Sequence, residues 1–397
     1  MIFGAEANVR AIFVWSLAVT LAGCQSFGGG KPQSGWAVLS KAEGVSCGIW
    51  PLRSKDLQLD GVAPVRSMAA AGPKGFLVSG LNRNAGPLQY WAPFRGKKDL
   101  AGDGFLDLDL GRGAVVVGGG WIGSTAVTVV TRVVGEKSTL EVRTIHDNVV
   151  RHKADLGPTQ VTDGWLVPAP GGAWATLRGE DGSFRILWVA LPSLDKIASR
   201  PVVGASFAER PLVLPRAMKG GGTVVVSREG NDQARPFGVR WLGTDGKVGD
   251  FVQLDLQVAN QVESWSAVAH GGGYYVAVVD GDSLVGASEL KVGHFEWNGS
   301  TAPVRWTKSV VMRDEHVTEP VWTFGANGLE VLVLKWIDEE STVARYQVAG
   351  GALGKPSYAG VFPKGSRIVD AFNDDGDVWA VVRSRSDNGW TYRVCEM

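Results

Sequence analysis

Seven charged residues stand at near-regular intervals along the chain: Arg66, Arg112, Asp163, Arg210, Glu263, Glu319 and Arg367. Close behind the three acids come Trp165, Trp265 and Trp322. Gathered around one mouth, four guanidinium groups and three carboxylates would grip a polar ligand that carries carboxylates, because the guanidinium fork pairs with them bidentately. Indole faces beside them would stack on the apolar side of a sugar ring. The same residue types also suit a second arrangement, in which the charges pair between neighbouring units and the indoles fill an apolar interior.

Other chemistry is weakly represented. The five histidines, His146, His152, His270, His294 and His316, are scattered, and His146 with His152 is not a helical ligand spacing, so no metal site is assigned. Asn373-Asp374-Asp375-Gly376-Asp377 and Asp280-Gly281-Asp282 have the acidity of calcium loops, yet both read as hairpin turns, where Asp-Gly is expected anyway. No Gly-x-Ser-x-Gly elbow or phosphate-binding glycine loop occurs, so no catalytic residue and no cofactor is assigned. Forty basic and forty acidic side chains cancel without a basic run, which argues against a nucleic-acid partner.

The elements that would position the charged set repeat. Gly271 to Asp280 (GGGYYVAVVD) is a glycine turn feeding an apolar strand, and comparable strands start at Gly75, Thr125, Ala173, Thr223, Tyr274, Leu329 and Asp377. The intervals are 50, 48, 50, 51, 55 and 48 residues, room for four strands and three turns. Third strands follow at Leu88, Leu140, Arg185, Phe237, Val292, Ala344 and Thr391, and weaker fourth strands at Phe105 and Phe251 alternate apolar with polar as half-exposed edges do. Glycine is abundant, at 54 of 397 residues, and helical periodicity is nearly absent after the N-terminal segment. The expected fold is all-β: one seven-bladed β-propeller of four-stranded blades over residues 35–397. In that fold the seven charged residues sit where the loops lead into the innermost strands, at the mouth of the central channel.

Ring closure is expected from strands of the two chain ends pairing. Asp56 to Gly61 (DLQLDG) lies 49 residues ahead of the Leu106-Asp107-Leu108-Asp109 strand and reads as the fourth strand of the last, otherwise three-stranded unit. Trp36 to Ser40 and Cys47 to Arg53 resemble a second and a third strand, which leaves an eighth, incomplete blade open.

Arg10 precedes the apolar run Ala11 to Leu21, which ends in Leu21-Ala22-Gly23-Cys24. This tetrapeptide resembles the lipobox of bacterial lipoproteins, although Glu6 is an unusual acid in the charged region. The resemblance implies a signal peptide over residues 1–23, a lipidated Cys24 that carries acyl chains such as palmitate, and a flexible tether over 24–34. It also implies membrane attachment through that lipid in the bacterial cell envelope, with Gln25 after the cysteine favouring the outer membrane. In an oxidising compartment the remaining Cys47 and Cys395 are either bridged or two buried thiols. A bridge would close a loop of almost the whole chain, worth about 4 to 5 kcal/mol in the loop-entropy model.

In the last unit Asp387, Gly389, Thr391 and Tyr392 resemble the Asp-box turn of sialidase-type propellers, with Arg385 standing where that motif has serine. The Phe-Arg-Ile-Pro signature of that family is absent; Phe184-Arg185-Ile186-Leu187 belongs to a third strand. The chain also resembles bacterial propeller lipoproteins, which implies a binding or scaffolding module for an envelope protein or a glycan. A sialidase-type glycan-processing enzyme is the alternative, and a calcium-stabilised structural protein a further one.

Overall fold

The computed structural model describes residues 47–50 and, apart from 108–113, 191–201, 215–221, 230–235, 255–260, 297–303 and shorter interruptions, residues 68–397. The described residues form seven antiparallel sheets in succession. The innermost strands are Met68–Gly72, Ala114–Ile122, Val161–Ala169, Leu212–Leu214, Gln261–His270, Val321–Gly325 and Arg367–Asp374. Each pairs with the apolar strand that follows it: Gly75–Leu81, Thr125–Val134, Gly172–Gly179, Gly222–Arg228, Gly273–Asp282, Gly328–Ile337 and Asp377–Ser386. Third strands lie outside these, and short outer strands such as Leu106–Asp107 and Val252–Gln253 complete the sheets. The innermost strands of the seventh and first sheets touch, as do those of the first and second and of the second and third. This is the all-β propeller fold.

The apolar second strands are continuous runs because both of their faces are buried. Along Gly328–Ile337, Leu329, Val331 and Val333 pack with the fifth sheet, whereas Leu332 and Leu334 pack with the seventh. Period-two alternation thus feeds two separate cores from one strand. Gly273–Asp282 behaves in the same way, sending Tyr274, Val276 and Val278 toward the fourth sheet and Ala277 and Val279 toward the sixth. Trp174, Phe207, Val213, Val225 and Leu242 join the third sheet to the fourth. Stability is therefore distributed over seams between sheets, each made of residues from two repeats.

The hairpins show why glycine is so common. In His270-Gly271-Gly272-Gly273 the two central residues have φ of 58° and 98°, and in Asp374-Asp375-Gly376-Asp377 the corresponding values are 53° and 96°. Such paired left-handed residues match the twist of the flanking strands, so Asp375-Gly376 is here for backbone geometry. The Asp280 segment differs from its reading as a turn: Asp280 lies inside the second strand of the fifth sheet and is 4% exposed. Its carboxylate accepts a 2.8 Å bond from Lys291 Nζ. Among the described residues no group of three or more His, Cys, Asp or Glu side chains is arranged to hold a metal ion.

A different constraint applies at Gly172, where a Cβ would lie 2.2 Å from the Val189 carbonyl oxygen and 2.8 Å from the Trp188 ring. Gly172→Ala should cost about 1–3 kcal/mol, because the obstructing atom is backbone of the paired strand and cannot rotate away. A urea unfolding curve with its midpoint unchanged would show that the third sheet gives way more easily than this packing implies.

The sheets carry ion pairs between second and third strands. Arg240 Nε and Nη2 donate to the Glu229 carboxylate at 2.8 and 2.6 Å, and Ser227 Oγ adds a bond of 2.9 Å. Partial burial pushes the Glu229 carboxyl up, but the bonds from Arg240 and Ser227 outweigh burial and hold it below its ordinary value of 4.5. A depressed folded-state value stabilises the fold above the unfolded value, and that contribution disappears as pH falls through the folded one. Stability measured from pH 6 downward should therefore fall less steeply below about 4.5 in Glu229→Gln than in the parent protein. Parallel curves would remove Glu229 from the acid response.

The seventh sheet is closed by the N-terminal side of the chain. Cys47–Trp50 pairs antiparallel with Gly389–Glu396, with Cys47 opposite Cys395 and Trp50 opposite Tyr392. Closure by the two ends is as expected, but the closing strand is Cys47–Trp50 and not Asp56 to Gly61, a segment outside the described residues. The same pairing takes Cys47–Trp50 out of an eighth unit, and Trp36 to Ser40 also lies outside the described residues. No disulfide is present among the described side chains, which do not include those of Cys47 and Cys395.

Candidate functional site at the channel mouth

Three of the expected mouth residues come together although they belong to three different sheets. Arg210 lies two residues before the innermost strand of the fourth sheet, Trp165 on that of the third, and Glu319 two residues before that of the sixth. The Arg210 guanidinium carbon sits 4.2 Å from the centroid of the Trp165 ring, and its Nη1 is 3.8 Å from Glu319 Oε1. The first contact is a cation–π attraction, worth about 0.5–1 kcal/mol at an exposed site. The second is looser. At 3.8 Å it is an ion pair without a hydrogen bond, and with 35% and 56% of the two side chains exposed it is screened by water.

The other indoles serve differently. Trp265 packs edge-on against Phe237 at 5.0 Å and 81°, on the core shared by the fourth and fifth sheets. Trp322 lies 6.2 Å from Tyr275 on the core between the fifth and sixth. Trp165 itself packs on the core between the third and fourth sheets, 6.0 Å from Phe184, so all three tryptophans brace seams and one of them also carries a guanidinium on its face. Arg367 is exposed at the start of its strand, opposite Arg383. Asp163 and Glu263 lie on innermost strands at register shifts, between Val161 and Asp163 and between Val262 and Ser264; their side chains are outside the described set. Arg66, Arg112 and Cys24 lie outside the described residues.

Register assembles a further group that the scattered histidine positions conceal. Tyr275 is the cross-strand partner of His294, with ring centroids 4.7 Å apart, and His270 lies 6.5 Å from Tyr275 and 5.1 Å from Phe324. Phe324, 38% exposed, ends this aromatic strip, where the innermost strands turn back. The sequence signal is confined to one turn, where His270 and Tyr275 flank Gly271-Gly272-Gly273.

No family model matches the chain, and no curated protein matches it. Among solved structures, it is similar to the β-propeller domain of Nup133 from Vanderwaltozyma polyspora, at 10% identity and TM-score 0.47, over 87% of this chain and 97% of that one. It is also similar to the WD40 domain of SCAP from fission yeast, at 10% identity and TM-score 0.41, over 88% and 98%. Prolyl oligopeptidase B from Galerina marginata is similar at 12% identity and TM-score 0.49, over 82% of this chain and 48% of that one. The fold class is a β-propeller, on which Trp165, Arg210 and Glu319 form one partly exposed cluster.

Proposed function

We propose that the chain is a lipid-anchored bacterial envelope protein in which the seven sheets are the blades of a single ring. Its channel mouth recognises a protein or glycan, and it works as a binding or scaffolding module. One observation carries the binding role: Trp165, Arg210 and Glu319, from the third, fourth and sixth sheets, converge on one half-exposed cluster. Arg240, by contrast, pairs with Glu229 within one sheet. The anchor rests on Leu21-Ala22-Gly23-Cys24.

A detergent-solubilised pull-down of the tagged, lipidated protein from its own envelope, read by mass spectrometry beside Trp165→Ala/Arg210→Ala, tests the mouth. A partner held by the parent and lost from the double variant supports the reading; equal capture by both rejects it. Cys24→Ser should move the protein from the membrane pellet to the soluble fraction, and an unchanged distribution would reject the anchor. The rival sialidase-type activity would appear as aryl sialoside hydrolysis by the same preparation.

A further inference from the structure

We infer that the aromatic strip of the fifth and sixth sheets is a second ligand site, one that takes a neutral sugar ring on Phe324. It lies at the ends of the innermost strands remote from Arg210 and Glu319, so it stands or falls independently of the mouth. Among the described residues only Val248 and Phe324 are large apolar side chains exposed to solvent. Phe324 differs from Val248 in what surrounds it. His270 packs on its ring from the fifth sheet at 5.1 Å, and Asn373 Nδ2 of the seventh sheet donates to its carbonyl oxygen. The platform is thus held from two neighbouring sheets before a ligand arrives, which lowers the entropy lost on capture.

Strand register brings polar edges to the same place. Trp322 and Phe324, two apart on one strand, face the fifth sheet, as their cross-strand partners Val331 and Leu329 do. Tyr275 meets them from the fifth sheet, 6.2 Å from Trp322 and 6.5 Å from His270. His294 lies beside Tyr275 at 4.7 Å and reaches over Gly273, where only a glycine leaves room for its Nε2. The two imidazoles and the Tyr275 phenol are half-buried, and among the described residues they make ring contacts but no hydrogen bond.

This composition selects a ligand. An exposed aromatic ring stacks on the C–H face of a sugar, while imidazole and phenol edges, which donate and accept, pair with its hydroxyl groups. A purely apolar anchor, or a quaternary ammonium that uses ring faces alone, would leave those edges unpaired, at about 1–3 kcal/mol for each one it buries. An anion is disfavoured by Asp375, exposed on the seventh-sheet turn that lies against Ala326, two residues beyond Phe324.

Saturation-transfer difference NMR would be run on the full-length protein, in a detergent without a sugar headgroup, with cellotriose, maltotriose and chitotriose, and with choline and acetate as controls. At least one trisaccharide should bind. Phe324→Ala should weaken it about two- to tenfold, the range of an aromatic contact. His270→Phe, which keeps a ring and removes the hydrogen-bonding edge, should weaken it by a similar factor. Phe324→Trp should retain binding, and Trp165→Ala/Arg210→Ala should leave it unchanged. Variants are compared only where urea midpoints match the parent, and Phe324→Leu, apolar without a flat ring, replaces Phe324→Ala if that variant falls short. The inference is overturned if no trisaccharide binds, if choline or acetate binds as well as the sugars, or if either the Phe324 or the His270 variant keeps the parent's affinity. Sugar binding that is lost only from Trp165→Ala/Arg210→Ala would place the glycan at the mouth and overturn this site while sparing that one.

Discussion

Arg345→Ala is expected to lower stability by about 3–5 kcal/mol, the usual consequence of stranding a buried charge. The charge is that of Glu330, which has no solvent exposure in the middle of the sixth sheet's apolar second strand. Arg345 holds it with two bonds of 2.6 Å from Nε and Nη2, and its Nη1 reaches the Met397 carbonyl at 2.8 Å. One guanidinium thus neutralises the sixth sheet and ties it to the end of the seventh. Glu330 alternates along its strand with Leu332 and Leu334, residues of the core between those sheets, so an unpaired carboxylate would sit beside apolar packing. Replacing both partners by apolar residues of similar volume, as Glu330→Leu with Arg345→Met, should restore most of the loss. Urea unfolding of the two single variants and the double one forms a cycle. If the double variant is as unstable as the sum of the singles, the pair is not coupled in the way this geometry requires.

The second large effect belongs to the ring closure. Cys47 and Cys395 are direct partners in an antiparallel pair, a position in which Cα atoms lie about 4.5–5.5 Å apart, within the span a disulfide bridges. Oxidised protein is expected to lose about 4 to 5 kcal/mol on reduction, or less if the unfolded chain keeps residual structure. The loss should fall on the seventh sheet first, because Cys47–Trp50, the described segment paired with the last strand, is four residues long. Thiol labelling of unfolded, unreduced protein should find neither cysteine reactive, and Cys47→Ser should melt like the reduced parent. Two labelled thiols, or identical melts with and without reductant, would leave the seam held by strand pairing alone.

The contrast between these predictions shows how legible the chain is. The second and third strands of every repeat lie where their apolar runs and glycine turns place them, because burial on both faces writes an uninterrupted pattern into the sequence. Glu330 breaks the run LEVLVLKW, and nothing local says that Arg345, fifteen positions later, compensates it. The closing strand was misplaced by one segment for a similar reason: DLQLDG has the better edge-strand alternation, but CGIW is the segment paired with the last strand. Asp280 reads as a turn residue from its Asp-Gly-Asp setting and is a buried, ion-paired strand residue.

By itself the sequence determined the fold class, the repeat length and most of the glycine turns. These properties depend on neighbours a few residues apart, whose side-chain period and backbone preferences are local. Only the tertiary structure decided which of the charged residues meet. Arg210 finds Trp165 and Glu319 from sheets before and beyond its own, and the direction and distance of such contacts are set by how whole sheets pack against one another, which no spacing along the chain encodes.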